Sequence, residues 1–190
     1  MLLLVGLGNP GSNYTNTRHN IGFKIIDAIN SHFKLSKQKP KFKGLLTTGN
    51  IDEKKIYAIK PLTFMNNSGT AIKELIDYFK IDAKDVFVFH DDMDIDFGKI
   101  KAKFGGSSAG HNGIESIDKF IGKDYSRVRI GIGHPKQKKK VNNHVLEDFK
   151  EDEEEKINEI TENIVKQLPT LIERKIDLFS SKVNQDLNGI

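Results

Sequence analysis

Several short polar stretches of this 190-residue chain carry side chains suited to acid–base chemistry. They lie beside apolar runs and contain, in chain order, Asn9 with His19, Asn66, His90 with Asp91, and His111 with Asn112. Imidazole and carboxylate groups transfer protons, and amide groups donate hydrogen bonds to carbonyl oxygens or to water. This set of residue types is typical of a hydrolytic site that acts through a water molecule.

His19 and Asp91 are the pair most suited to general-base chemistry. His19 lies in a polar loop directly before a helical pattern, and Asp91 follows His90 at the end of the apolar run Val86–Phe89. A carboxylate there would bond one imidazole nitrogen, fix its tautomer and make the other nitrogen a better base. For His19 taken alone, a surface position before the helix is the alternative.

Other chemistries find less support in the sequence. The acidic run from Asp91 to Asp96 suits a divalent cation, but its spacing does not match an EF-hand, and solvated turn carboxylates are the alternative. The Gly-x-Ser-x-Gly match Gly106-Ser107-Ser108-Ala109-Gly110 lies in a flexible glycine-rich loop and not on a strained turn after a strand, which disfavours a serine hydrolase. Asn66 and Asn112 serve either as helix caps or as donors to a developing oxyanion. We therefore expect no metal and no cofactor.

The glycine pattern Gly6-x-Gly8-x-x-Gly11 is a weak dinucleotide signal. Gly11 is followed by a polar stretch without helical periodicity, and the nearest acid, Asp27, lies inside a helix. These glycines and Pro10 instead predict a sharp turn that exposes Asn9 at the carboxyl end of a strand.

Alternating apolar runs and helical patterns predict the elements that position these residues. Strands are expected at Leu2–Val5, Gly44–Ile51, Lys55–Ile59, Val86–Phe89, Lys99–Phe104 and Arg127–Ile132. Helices are expected at Asn20–Phe33, Ala71–Phe79 and Asn112–Phe120, followed by two at about 150–188 that separate at Pro169. The order predicts one layered α/β domain over residues 1–190, with a twisted, mixed, largely parallel sheet flanked by helices. Because the carboxyl ends of parallel strands meet at one edge, the polar stretches are expected to share one cleft.

Composition and charge limit the class of protein. The net charge is +9 for residues 1–150, which include the basic loop 136–140, and −5 for residues 151–190, within an overall charge of +4. A basic body is typical of a protein that binds a polyanion, although a lysine-rich surface also serves solubility alone. The chain has no cysteine and no apolar stretch long enough for a signal peptide or a membrane span. We expect a soluble intracellular protein that makes no membrane contact.

Six sequence blocks span nearly the whole chain in a fixed order. They are Gly6-Leu7-Gly8-Asn9-Pro10-Gly11 with Tyr14, Thr17-Arg18-His19-Asn20-Ile21-Gly22, Lys60-Pro61-Leu62-Thr63-Phe64-Met65-Asn66-Asn67-Ser68-Gly69, His90-Asp91-Asp92-Met93-Asp94, Gly110-His111-Asn112-Gly113, and Arg127-Val128-Arg129-Ile130-Gly131-Ile132-Gly133-His134-Pro135. One such block would be weak, but together they are highly specific. The sequence resembles the bacterial-type peptidyl-tRNA hydrolase family.

The resemblance implies hydrolysis of the ester between a peptide and the 3′ ribose of peptidyl-tRNA, which releases tRNA for reuse in translation. It implies that His19 is the general base on water, that Asp91 supports it, and that Asn9 distinguishes a blocked amino group from a free one. The leading hypothesis is a metal-independent esterase that contacts the acceptor stem and 3′ end of its substrate. We expect it to be a cytoplasmic monomer.

Further site residues are carried over from the resemblance. Those that match the family's tRNA and peptide contacts are Tyr14, Phe64, Asn66 and Asn112. Lys103 and Arg129 match positions proposed to clamp the 5′ phosphate, and the loop at about 105–113 corresponds to a mobile lid. The chain departs from the family pattern at Asp96, often proline, and at Ala109, commonly glycine. The competing functions are a non-catalytic RNA-binding module and a metal-dependent phosphoesterase built on the 91–96 run.

Overall fold

The computed structural model describes residues 1–135 and 141–187 and has a seven-stranded sheet at its centre. The strands are β1 (Leu2–Gly6), β2 (Lys39–Lys41), β3 (Gly44–Ile51), β4 (Lys54–Pro61), β5 (Val86–Asp92), β6 (Ile100–Phe104) and β7 (Ser126–Gly131). Their order across the sheet is β2-β3-β4-β1-β5-β7-β6. The central strands β4, β1, β5 and β7 are parallel, whereas β2, β3 and β6 pair antiparallel at the two edges. This mixed, mostly parallel sheet confirms the predicted α/β class.

Helices cover both faces of the sheet. They are α1 (Ile21–His32), α2 (Ser68–Phe79), α3 (Asn112–Ile121), α4 (Val141–His144), α5 (Glu151–Ile172) and α6 (Ile176–Asp186). Helices α1, α5 and α6 contribute to one apolar core, and α2 and α3 contribute to the other. The fold is therefore a three-layer arrangement in which the central strands are buried on both sides.

The apolar run of β1 shows how the sequence produces this arrangement. Leu2 and Leu4 belong to the core beneath α1 and α5, while Leu3 and Val5 belong to the core beneath α2 and α3. Successive side chains of a strand point to opposite faces, so a strand covered on both faces must be apolar throughout. Such a strand positions whatever follows its carboxyl end.

The first two glycines of the glycine pattern allow close packing between β1 and α1. A Cβ atom on Gly6 would lie 2.1 Å from the carbonyl oxygen of Gly22, and one on Gly8 would lie 2.8 Å from the Phe23 ring. Gly11 has a φ of 109°, which non-glycine residues adopt at a cost. The pattern thus brings the loop after β1 against the start of α1.

The prediction that Pro169 separates two C-terminal helices is wrong. Helix α5 continues through Pro169 and ends at Ile172. Arg174, just after the helix, adopts a left-handed φ of 65°. Proline removes one helical hydrogen bond, but the buried residues Leu168 and Leu171 on either side of it pack into the core. Packing of the apolar face therefore outweighs the local cost of proline.

One strand was not predicted from the sequence, and one predicted loop lies among the residues that the structure does not describe. Strand β2 was not predicted, because its residues are all exposed and include Pro40. The predicted basic loop 136–140 lies outside the described residues. Within the part of the chain that the structure describes, no helix has the length and hydropathy needed to cross a membrane.

Candidate active site

A cavity of about 480 Å³ opens at the carboxyl edge of the parallel strands. Six of the predicted site residues line it, namely Asn9, His19, Phe64, Asn66, Asp91 and Asn112. They come from the loops after β1 and β4, from the end of β5 and from the start of α3. The expectation that the polar stretches share one cleft is confirmed.

His19 and Asp91 form a buried hydrogen-bonded pair beside this cavity. The Nδ1 atom of His19 lies 2.9 Å from each carboxylate oxygen of Asp91, and the side chains are 9% and 2% exposed. The backbone N–H of His19 donates to the carbonyl oxygen of Val145 at 2.8 Å. An ionised carboxylate only accepts hydrogen bonds, so Nδ1 carries the proton and Nε2 is left as the basic nitrogen.

The environment favours the charged forms of both groups. Burial alone would lower the pKa of His19, but the negative charge of Asp91 and the hydrogen bond to it outweigh burial and raise this pKa above 6.5. Burial would raise the pKa of Asp91, but the facing rings of His19 and His111 hold it far below its usual range. Asp91 is therefore an anion, and it strengthens His19 as a proton acceptor.

His111 is a third member of this cluster, to which the sequence analysis gave no role. Its Nε2 atom lies 2.9 Å from Asp91 Oδ1, and its Nδ1 atom accepts the backbone N–H groups of Gly113 and Ile114 at 3.1 and 3.3 Å. It is thus also the N-cap of α3. A histidine at the junction of a glycine-rich loop and a helix was the available signal, but N-caps are more often Ser, Thr, Asp or Asn.

His90 lies behind the cluster and is not a base for the cavity. Its Nδ1 atom lies 2.7 Å from the carbonyl oxygen of Asp91, and its ring packs edge-on against His111 with centroids 4.8 Å apart. Burial, and secondly the neighbouring His111, hold the pKa of His90 well below 6.5. His90 is therefore a neutral, buried side chain.

Hydrogen bonds with Asn20 and Met65 hold Asn9 and leave its side-chain N–H₂ group available as a donor. Asn20 accepts from the backbone N–H of Asn9 at 2.8 Å and donates to its carbonyl oxygen at 2.9 Å. The side-chain Oδ1 of Asn9 accepts from the backbone N–H of Met65 at 2.8 Å. Because its oxygen is engaged, Asn9 presents an amide N–H₂ group at the cavity.

Aromatic and amide side chains surround the opening. Phe64 is 52% exposed, adopts a φ of 58°, and contacts Tyr14 edge-on with ring centroids 6.4 Å apart. Tyr14 thus lies beside Phe64 at the rim of the cavity. Asn66 and Asn112 are exposed and line the cavity, and neither is a cap, because Asn67 precedes α2 and His111 precedes α3. The capping alternative for these two asparagines is therefore wrong.

Lys103 and Arg129 lie outside the cavity, on the paired strands β6 and β7. Arg129 donates through Nε to Asp92 Oδ2 at 2.7 Å. The ammonium group of Lys103 packs against Gly106, where a Cβ atom would lie 2.3 Å from it. Two predicted binding residues are therefore on a separate basic face beside the glycine-rich loop.

The glycine-rich loop is anchored by Arg127 and, at its first residue, by the Gly105 N–H, which donates to Tyr125 O at 2.9 Å. Arg127, which is 1% exposed, donates to the carbonyl oxygen of Ser107 at 2.8 Å and to Asp118 at 2.9 Å. Ala109 adopts a φ of 48°, a left-handed conformation that glycine adopts at lower cost. The loop is thus held at its start and at Ser107, and Ala109 lies in a strained conformation between Ser107 and α3.

The acidic run does not converge on a metal site. Asp92 is bound by Arg129, and Asp94 lies 2.8 Å from His134. Among the described residues, the group with metal-ligating atoms close together is His19, Asp91 and His111, whose atoms lie within 4.8 Å of one another. In that group, each ring nitrogen facing Asp91 is at hydrogen-bond distance, which fits protons rather than an ion between them.

The fold and this site define an α/β protein with a buried histidine–aspartate cluster beside a cavity at the carboxyl edge of a parallel sheet. The family model described as Peptidyl-tRNA hydrolase matches residues 3–189. A protein named peptidyl-tRNA hydrolase from Pelagibacter ubique is 72% identical over 97% of this chain and 99% of its own length. Another of that name, from Ehrlichia ruminantium, is 46% identical over 95% of this chain and 93% of its own length.

Solved structures are similar over the same range. The crystal structure of peptidyl-tRNA hydrolase from Acinetobacter baumannii has a TM-score of 0.90 and 34% identity, and the match covers 97% of this chain and 94% of that one. An Arg119Gln mutant of the Acinetobacter enzyme has a TM-score of 0.91. The chain belongs to the peptidyl-tRNA hydrolase family.

Proposed function

We propose that this enzyme cleaves the ester of peptidyl-tRNA by general-base catalysis, with His19 as the base. The single observation that supports this most is the contact of His19 Nδ1 with both oxygens of the buried Asp91 at 2.9 Å. It leaves Nε2 free to take a proton from water. The resulting hydroxide attacks the ester carbonyl, and the ester oxygen leaves with the 3′ ribose of tRNA, taking up the proton that His19 Nε2 returns.

Neighbouring groups stabilise the charges that develop in this step. As water loses its proton, His19 becomes an imidazolium, which the Asp91 anion stabilises. The carbonyl oxygen gains negative charge, and the exposed amides of Asn66 and Asn112 at the cavity are placed to donate to it. His19 takes the proton from water and returns it to the leaving oxygen, so the proposal requires no metal.

Asn9 is proposed to select the peptidyl group. The amide carbonyl of a blocked amino group accepts a hydrogen bond from an N–H₂ donor, whereas a protonated free amino group has only donors to offer. Because the Oδ1 atom of Asn9 is held by Met65 N, the amide cannot turn over to accept without losing that bond. Asn9 therefore favours peptidyl-tRNA over aminoacyl-tRNA.

The tRNA is proposed to reach this cavity across the basic body of the chain. Tyr14 and Phe64 offer rings at the rim for a terminal base, and Lys103 with Arg129 would bind the 5′ phosphate of the acceptor stem. The loop at about 105–113 would act as a lid hinged at its glycines. Since the substrate arises in translation, we propose that the enzyme acts in the cytoplasm, as a monomer.

The decisive experiment compares hydrolysis of N-acetyl-aminoacyl-tRNA with that of the same aminoacyl-tRNA with a free amino group. We expect strong preference for the blocked substrate, and unchanged activity after treatment with EDTA. Tight, salt-sensitive tRNA binding without ester cleavage would instead indicate an RNA-binding module. Loss of activity on chelation, restored by a divalent cation, would contradict the proposed mechanism and favour a metal-dependent hydrolase.

A further inference from the structure

We propose that Asp92 is a positioning residue for phosphate recognition, because it holds Arg129 by Nε and leaves the guanidinium's terminal nitrogens for a 5′ phosphate. The inference rests on the proposed function, since it concerns the other end of the same substrate. Arg129 Nε lies 2.7 Å from Asp92 Oδ2, and the two side chains are 19% and 9% exposed. The ion pair is mostly buried, and its Asp92 directly follows Asp91 of the catalytic cluster in the sequence.

The alternation of β5 gives its two consecutive carboxylates different partners. Asp91 is in register with Ile130, which packs in the core beneath α1, and it meets His19. Asp92 follows it and points to the opposite face, which it shares with Arg129. One strand end therefore supplies Asp91 to the His19 cluster and Asp92, which also lines the cavity, to Arg129 on the neighbouring basic face.

The Asp92 carboxylate is fixed at both oxygens. Oδ1 accepts the backbone N–H of Asp94 at 2.9 Å, while Oδ2 accepts from Arg129. Arg129 uses only Nε in this contact, and its terminal nitrogens make no hydrogen bond within residues 1–135 and 141–187. A guanidinium held at Nε keeps the fork of N–H groups that binds phosphate in a bidentate manner.

The surroundings of Arg129 fit an anionic ligand. Lys101 and Lys103 stand opposite Arg129 and Arg127 in the β6–β7 ladder, so the four cations share one face. Arg127 is buried, and its two terminal nitrogens are held by Ser107 and Asp118. Neither lysine has an ion pair among the residues that the structure describes. A phosphate bound by Arg129 would therefore also meet free ammonium groups.

A contrary role for Asp92 makes the opposite prediction. An anion beside Arg129 could compete with phosphate for the guanidinium, and its removal would then strengthen phosphate binding. If Asp92 instead positions Arg129, its removal releases a flexible side chain and weakens phosphate binding, because the rotamer freedom is lost again on binding. The sign of the effect separates the two roles.

The test uses N-acetyl-aminoacyl acceptor-stem helices that carry or lack a 5′ phosphate, and it measures KM and kcat for each. The phosphate preference is the ratio of the two KM values. In Asp92→Asn we expect this preference to fall by about tenfold, the scale of one charge-assisted hydrogen bond, with kcat changed far less than KM. Asp96→Asn is the matched control, because it removes the same charge from an exposed neighbour that does not contact Arg129.

Two further variants make the test independent of folding effects. Arg129→Lys keeps the charge but lacks Nε and the fork, so it should lose the preference as well. In an Arg129→Ala background, Asp92→Asn should have no additional effect on the preference. A preference that is retained or increased in Asp92→Asn, or retained in Arg129→Lys, overturns the role of Asp92. A wild-type enzyme that hydrolyses both helices with equal KM would overturn the phosphate clamp itself, while the ester chemistry stands.

Discussion

His111 donates to Asp91 from a tautomer that the backbone of α3 fixes. Because His111 Nδ1 accepts the N–H groups of Gly113 and Ile114, its only proton is on Nε2, which lies 2.9 Å from Asp91 Oδ1. The first turn of α3 therefore fixes the ring from which His111 donates to Asp91. The start of α3 thus helps to hold the carboxylate that bonds His19, a residue on another element.

The first prediction concerns the support that Asp91 gives to His19. In Asp91→Asn we expect kcat to fall by about 10²-fold or more, while the affinity for uncleaved tRNA changes little, because an amide cannot stabilise the imidazolium. Turnover and tRNA binding are measured separately, the latter by equilibrium titration. Equal losses in both quantities would show that Asp91 serves binding instead.

The second prediction is the pH dependence of the reaction. Only neutral His19 accepts a proton, so kcat/KM should fall as the pH decreases through the pKa of His19, with a midpoint above 6.5 in the free enzyme. In Asp91→Asn the raising influence is gone and burial remains, so the midpoint should move to lower pH. A midpoint that stays in place would mean that the acidic limb reports another group.

The third prediction is the loss caused by removing the base. His19→Ala should reduce kcat/KM by about 10²-fold or more, the scale of a general base. His32→Ala is the matched control, because His32 is exposed at the end of α1 and should retain wild-type activity. Near wild-type turnover in His19→Ala rules out its proposed role.

The fourth prediction concerns the selectivity proposed for Asn9. Asn9→Ala removes the N–H₂ donor, so the ratio of kcat/KM for blocked over free aminoacyl-tRNA should decrease, mainly through the blocked substrate. Asn67→Ala is a suitable control, since Asn67 is exposed and does not line the cavity. If the ratio is unchanged while both rates fall together, Asn9 supports catalysis without selecting the substrate.

The sequence was sufficient to predict six of the seven described strands and the His19–Asp91 pair for a physical reason. Continuous apolar strands such as β1 and β5 must be buried on both faces of a sheet. Parallel strands bring the residues that follow them to one edge of that sheet. The same reasoning selected His111 as a candidate but could not assign its role, because its contact with Asp91 arises between distant segments. It also misjudged Pro169, since local propensity carries no information on how much apolar surface the rest of α5 buries.

The fifth prediction tests the close packing of β1 against α1, which positions the loop carrying Asn9. A Cβ atom on Gly22 would lie 2.3 Å from Leu7 N and 2.5 Å from Phe89 O, and neither backbone atom moves without the sheet. Gly22→Ala should therefore lower the free energy of unfolding by about 1–3 kcal/mol, the usual cost of overpacking, as measured by urea denaturation. Gly49→Ala is the control, because its Cβ atom would meet a movable methyl group of Leu35 at 2.6 Å. A smaller loss in Gly22→Ala than in Gly49→Ala would mean that α1 shifts away from the sheet at little cost, and then the Asn9 loop is not fixed by this contact.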